Sequence, residues 1–139
     1  MSINYLSIVL ATATQFAVGA IWYMPLFGKL WGEMFGFDKL SKKEQDKQRK
    51  AMGPWMLVQL LVTAITSYVL AWSILHYASI SAYRLASIIW IGFFVPTQIS
   101  AVIFGGTEPK WIKRRVLIMA GGSLACLLAG AFVIQAIQK

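Results

Sequence analysis

The sequence predicts an all-α membrane protein with four transmembrane helices and a short interfacial helix after the first. The chain has 139 residues, of which 58% are hydrophobic and only 13% are charged. A water-soluble domain of this length would need more charge, and its apolar residues would recur with a helical or strand period. Here they run almost unbroken in four stretches, namely Ile3–Leu26, Pro54–Tyr77, Leu85–Phe104 and Val116–Ile137.

Each of these four stretches is long enough to be a membrane span. A hydrocarbon core about 30 Å thick needs roughly 20 helical residues at about 1.5 Å rise each. A chain this short predicts a single integral membrane domain over residues 1–139. The first stretch has no Lys or Arg before Lys29 and is longer than the apolar region of a signal peptide, so we interpret it as a retained first span.

The net charge of +8 predicts how the spans are oriented. Basic residues concentrate in the connection 28–53 and, between the third and fourth spans, at Lys110, Lys113, Arg114 and Arg115. The other side has only Arg84 and Lys139. The positive-inside rule therefore predicts that both basic connections are cytoplasmic and both termini outside. Topology and anionic lipid headgroups explain these charges, so we expect the lipid bilayer as a partner and no nucleic acid.

The connection 28–53 contains two predicted helices. Apolar side chains at helical spacing predict a short interfacial helix that ends at Gly36: Phe27, Leu30, Trp31, Met34 and Phe35. Ser41 and Glu44 have the spacing of a capping box, and Gly53-Pro54 is expected to break the chain before the second span. The connection is either a docking surface for a partner or a solvated linker that determines topology, and we favour the linker.

Neutral polar residues share faces of the first three spans. No Asp, Glu, Lys or Arg lies within a predicted hydrocarbon core, although ion-coupled carriers usually need such groups. In one interpretation the polar groups line a path or a small-ligand site, for which the candidates are Gln15, Gln59, Thr63 and Gln98. In the other they are hydrogen bonds between helices, each worth about 1 kcal/mol or less, which is the commoner role.

Small residues on the fourth span form two rows, Gly121, Ala125, Ala129 and Gly122, Cys126, Gly130. Such rows allow helices to approach closely, either within a subunit or between subunits. Because four short spans bury little surface alone, we expect a homo-oligomer.

Catalytic signatures are absent from the sequence. It has one His and one Cys about fifty positions apart, and its acidic residues all lie in the predicted connections without a convincing base or nucleophile beside them. We therefore expect no enzyme activity, cofactor or metal. The leading hypothesis is a small-solute channel, transporter or ligand-binding homo-oligomer. The alternative is a scaffold or accessory subunit whose basic loop docks a partner protein or anionic lipid.

A motif at the end of the first span resembles a known family. Residues 19–31 read Gly-Ala-Ile-Trp-Tyr-Met-Pro-Leu-Phe-Gly-Lys-Leu-Trp, and residues 90–97 contain Trp-Ile-Gly-Phe followed by Pro-Thr. These are similar to motifs of the domain of unknown function 1761 (DUF1761) family of small bacterial membrane proteins. The resemblance implies a four-helix protein of the bacterial cytoplasmic (inner) membrane and carries no activity.

The residues of this motif also have a physical interpretation. Trp22 and Tyr23 are expected to anchor the helix at the membrane interface. Pro25 is expected to hold the preceding residue out of the helix and turn the chain. Gly28 would allow a sharp entry into the interfacial helix, which carries Trp31, and Lys29 would reach the headgroups.

Overall fold

The computed structural model describes residues 2–138, and within that range it contains helices and their connections but no strand. Lys139, whose position outside the membrane is predicted above, lies beyond the described residues. Four helices are long and apolar enough to cross a membrane, judged by length and composition; they are called here the first to fourth long helices: Tyr5–Leu26, Lys42–His76, Ala82–Phe104 and Pro109–Ile137. The predicted all-helical fold with four long apolar helices is confirmed.

The core lies at the end of the bundle where the turn 77–81 joins the second and third long helices. It consists of buried apolar side chains from all four helices, namely Ile8, Ala11, Leu70, Ala71, Ala82, Ala86, Leu127, Ala131 and Ile134. Alanine contributes many of these positions, which lets the helix backbones approach closely. The opposite end, which carries the connections 27–41 and 105–108, is called here the basic end.

The second long helix diverges from the bundle toward the basic end. Residues 51–62 are exposed on every side, and the first fully buried side chain of this helix is Ser67. The predicted break at Gly53-Pro54 is wrong, because the helix runs without interruption through Pro54. Proline removes only the backbone hydrogen bond to the carbonyl of Lys50, and Lys50 is exposed, so that carbonyl is accessible to water.

The basic end contains a short helix, Gly28–Met34, at the predicted position. Gly36 follows with a φ of 69°, which favours glycine, and a 3₁₀ turn covers Phe37–Lys39. The predicted capping box at the start of the second long helix is confirmed: the Ser41 hydroxyl accepts from the Glu44 backbone N–H, and the Glu44 carboxylate accepts from the Ser41 N–H at 2.9 Å.

The first and third long helices each contain a π-helical segment, Trp22–Leu26 and Trp90–Phe94. The expectation that Pro25 holds Met24 out of the helix is wrong, because Met24 lies inside the first π-helical segment and the helix ends only at Phe27. The wider π turn shifts the backbone pairing by one residue, which accommodates a proline that cannot donate.

Candidate functional site

A groove of about 690 Å³ lies between the diverging half of the second long helix and the other three long helices. We define the groove by the lining residues used below: Gln15, Phe16, Gly19, Tyr23, Met24, Trp31, Met56, Gln59, Val62, Thr63, Thr66, Gln98, Ser123, Cys126 and Leu127. The structure therefore places all four candidate residues of the sequence analysis around one cavity. Their surroundings differ, and so do the roles that they can have.

Gln15 is a packing residue. Its side chain is only 4% exposed, and its Nε2 donates to the Ser67 Oγ at 2.7 Å, which ties the first long helix to the second. It also lies directly over Gly130, where an added Cβ would come within 2.7 Å of the Gln15 Nε2. Gln15 thus forms one wall of the groove and has its donor already bonded.

Gln59 and Thr63 face the groove without bonding to another helix. The Gln59 Nε2 donates to the Thr63 Oγ1 at 3.3 Å, and the Thr63 hydroxyl donates to the Gln59 carbonyl at 2.7 Å. Both hydrogen bonds lie within the second long helix. Among the described residues, the side-chain oxygen of Gln59 therefore remains an available acceptor. Gln59 and Thr63 do not form the hydrogen bonds between helices that the packing interpretation would require.

Gln98 stands opposite on the third long helix with one half of its amide engaged. Its Oε1 lies 3.3 Å from the Ser123 Oγ, whose single proton it shares with the Ala120 carbonyl at 3.0 Å, and that hydroxyl also accepts from the Trp90 Nε1 at 3.2 Å. Trp90 further donates to the Ala120 carbonyl at 2.8 Å, so this cluster joins the third and fourth long helices. Among the described residues the Gln98 Nε2 has no acceptor, and it remains a free donor beside the groove.

Trp22 packs inside the bundle. Its Nε1 donates to the Ile118 carbonyl at 2.9 Å, and its ring covers Gly121 and Gly122, where added Cβ atoms would lie 2.8 and 2.9 Å from ring atoms. The role of Trp22 as an interfacial anchor stays a prediction, and the structure adds that the ring packs on the fourth long helix. The adjacent glycines on the fourth long helix could have signalled this contact, because only glycine leaves room for an indole so close to the backbone.

The small-residue rows of the fourth long helix are likewise occupied within the chain. Gly121 and Gly122 receive Trp22, Gly130 receives Gln15, and an added Cβ at Gly19 would lie 3.8 Å from the Cys126 Sγ. The sequence left open whether these rows pack inside one subunit or between subunits. The structure assigns these glycines to contacts with the first long helix.

Aromatic rings line the groove at the basic end, and Arg115 contacts one of them from outside the lining. Tyr23 and Trp31 meet edge to face with ring centroids 4.9 Å apart. The Arg115 guanidinium lies 4.9 Å from the Phe35 ring centroid and 5.9 Å from that of Trp31, and it also donates to the Thr107 hydroxyl. Cation–π contacts of this kind hold the short helix, and with it Trp31, against the fourth long helix.

The entry into the short helix is tight. An added Cβ at Gly28 would lie 3.0 Å from the Tyr23 carbonyl oxygen, which supports the predicted need for glycine there. Lys29 is exposed, and so is Pro25, so neither contributes to the interior of the bundle.

The groove is uncharged and the basic end is strongly charged. Among residues 2–138, no Asp, Glu, Lys, Arg or His lines the groove. At the basic end, Lys110 hydrogen-bonds to Glu108 at 2.9 Å, and this bond together with the charge of Lys110 holds the pKa of the Glu108 carboxyl below its usual value. Within residues 2–138, no three His, Cys, Asp or Glu side chains are grouped as metal ligands. The groove can therefore bind by neutral hydrogen bonds and apolar contact.

Four long apolar helices around one uncharged, amide-lined groove define the class as a small all-helical protein whose helices are apolar enough to span a membrane. The chain belongs to the family described as "Protein of unknown function (DUF1761)", whose family model matches residues 6–135. This match covers nearly the whole chain and confirms the resemblance noted in the sequence. Comparison with curated proteins and with solved structures found no match.

Proposed function

We propose that this chain is a non-enzymatic integral protein of the bacterial inner membrane, with both termini outside, that binds a small neutral molecule in the groove. The observation that supports binding most directly is that two partly bonded amides, Gln59 on the second long helix and Gln98 on the third, line the same groove. Ligand sites are typically clefts of about 300–1,000 Å³, mostly apolar, with a few convergent polar groups, and the groove agrees with this description.

The membrane placement rests on the length of the helices and on the charges of the basic end. The second long helix has 35 residues, or about 52 Å at 1.5 Å per residue, which exceeds the hydrocarbon thickness of about 30 Å. Its apolar part spans the core and its basic part extends into the cytoplasm. The short helix Gly28–Met34, with Trp31 and Phe35 near its end, would lie at the cytoplasmic interface.

The test is native mass spectrometry of the full chain in a mild detergent, which reports subunit number and any retained small molecule together. The double variant Gln59→Leu with Gln98→Leu should lose a specific bound mass that the wild type retains. Ser100→Leu on the third long helix, exposed and away from the groove, is the matched control. If wild type and double variant retain the same masses, binding through these amides is refuted.

The same measurement tests the expected homo-oligomer. Because Trp22 and Gln15 occupy the glycines of the fourth long helix, an oligomer would have to use other exposed apolar faces. A bare monomer would remove the homo-oligomer from this proposal and leave the groove as a single-chain site.

A second candidate function is a scaffold whose basic segment docks an acidic protein or anionic lipid. It is favoured by the continuity of the second long helix, which makes its basic first turns a rigid exposed rod and not a loose linker. Five side chains carry the charge: Lys42, Lys43, Lys47, Arg49 and Lys50. Neutralising these five should release any co-purifying partner, and no loss of bound protein or anionic lipid would exclude this function.

A further inference from the structure

The groove is open along its side, toward whatever surrounds the bundle. The lining residues Met56, Gln59 and Val62 belong to the segment 51–62, which is exposed on every side. The other three long helices stay together at this level: Trp22 and Trp90 bond to backbone carbonyls of the fourth, and Val102 and Ile118 are buried. In a membrane the surroundings of an apolar helix are acyl chains, so the opening is lateral and a ligand can enter from the lipid phase.

Apolar side chains such as Phe16, Val62 and Leu127 line the groove together with the amides. Gln59, Thr63 and Gln98 line the groove within the apolar part of the helices, whereas Met24, Trp31 and Met56 line it at the basic end. From Met56 to Thr66 the groove follows ten residues of helix, or about 15 Å. This length is enough for a polar head at the amides and a contiguous apolar segment beside it.

The lining of the groove also disfavours a charged ligand. Among the described residues no cationic side chain lines the groove. Arg115 donates to Thr107 and contacts the rings of Phe35 and Trp31, and its buried Nε has no hydrogen-bond partner among these residues. A carboxylate in this position would be desolvated without a counter-ion, which is costly. Hydroxyl and carbonyl groups, in contrast, match the free donor of Gln98 and the free acceptor of Gln59.

We infer that the ligand is a neutral single-chain amphiphile, whose hydroxyl- or carbonyl-bearing head bonds to Gln59 and Gln98 and whose apolar tail leaves through the lateral opening into the bilayer. This inference rests on the proposed function and specifies its ligand class. It requires no movement of the helices, because the tail passes beside the exposed half of the second long helix. Without a ligand, the lateral opening would expose the two amides to lipid. The same opening admits the ligand that hydrogen-bonds to them.

The experiment is photolabelling of the purified full chain in nanodiscs of zwitterionic lipid. The probe is a monoacylglycerol with a diazirine in its acyl chain, and the comparison probe is the fatty acid with the same chain and diazirine. Labelled peptides are identified by mass spectrometry. We expect the neutral probe to label groove residues of the second and third long helices, and the fatty acid to label them at least about tenfold less.

Variants distinguish specific labelling in the groove from labelling by general contact with lipid. Gln59→Leu with Gln98→Leu removes two hydrogen bonds to the head of the probe, each worth about 1 kcal/mol, and should lower specific labelling at least about tenfold. Ser100→Leu should leave it unchanged. Should the double variant fold poorly, Gln59→Leu alone gives an independent reduction, because the Gln59 side chain bonds only within its own helix and its loss leaves the contacts between helices in place.

Competition distinguishes the failure of this inference from the failure of the proposed function. Excess unlabelled monoacylglycerol should displace the probe, whereas glycerol monoacetate, the same head without a tail, should not. If glycerol monoacetate competes equally well, the groove binds a small solute and only the amphiphile is refuted. If both probes label all exposed helix faces alike and no variant matters, the amphiphile and the amide site are both refuted.

Discussion

Replacing Gly122 by alanine should destabilise the bundle by about 1–3 kcal/mol, the usual cost of overpacking a well-filled interior. An added Cβ would lie 2.9 Å from both Cδ1 and Nε1 of Trp22. The ring cannot withdraw freely, because its Nε1 is bonded to the Ile118 carbonyl at 2.9 Å and its far edge lies over Gly121. The measurement is SDS-induced unfolding in mixed micelles, followed by tryptophan fluorescence. Gly92→Ala is the control, since its Cβ meets nothing within 4 Å.

A double-mutant cycle decides whether Trp22 is the cause. In a Trp22→Ala background the clash is gone, so Gly122→Ala should cost nothing there or gain up to about 1 kcal/mol of helix propensity. The contact of Trp22 with the glycine pair would be refuted by a Gly122→Ala variant as stable as Gly92→Ala. A cost of equal size with and without Trp22 would refute it as well.

Two further predictions test the hydrogen bond between Gln15 and Ser67 and the orientation of the chain in the membrane. Ser67→Ala should cost about 1–2 kcal/mol in the same unfolding assay, because it leaves the buried Gln15 donor without its acceptor, while Ser100→Ala should be neutral. A reporter that is active only in the cytoplasm, fused after Lys139, should remain inactive if both termini lie outside, and an active fusion would reverse the proposed topology.

The helices could be predicted because a membrane span is recognisable from its local sequence. Unbroken apolar runs located all four, and the spacing of Ser41 and Glu44 located the start of the second long helix far before its apolar part. The prediction failed at Pro54 because a proline inside a helix removes one backbone hydrogen bond. The helix can continue through the proline when the carbonyl that loses its donor is exposed to water. Exposure is a property of the folded bundle and not of the local sequence.

The sequence could predict which residues belong to the candidate site, but it could not predict the role of each residue. Periodicity put Gln59 and Thr63 on one helix face, yet the same spacing fits a hydrogen bond between helices and a binding surface. The distinction depends on where the second long helix stops packing, which no local pattern reports. The packing of Trp22 could not be predicted for a related reason, because its partner glycines lie about a hundred residues away along the chain.

The cost of keeping free amides in an apolar groove gives the last prediction. In hydrocarbon an unbonded amide group is unfavourable, so Gln59→Leu should leave the stability of the ligand-free protein unchanged or raise it. Gln15→Leu should lower that stability, because Gln15 loses its bond to Ser67. A bound ligand at 100 times its Kd stabilises by about 2.7 kcal/mol, and Gln59→Leu should lose most of that gain. Were Gln59→Leu and Gln15→Leu equally destabilising without ligand, both glutamines would be packing residues and the groove would have no preference for polar molecules.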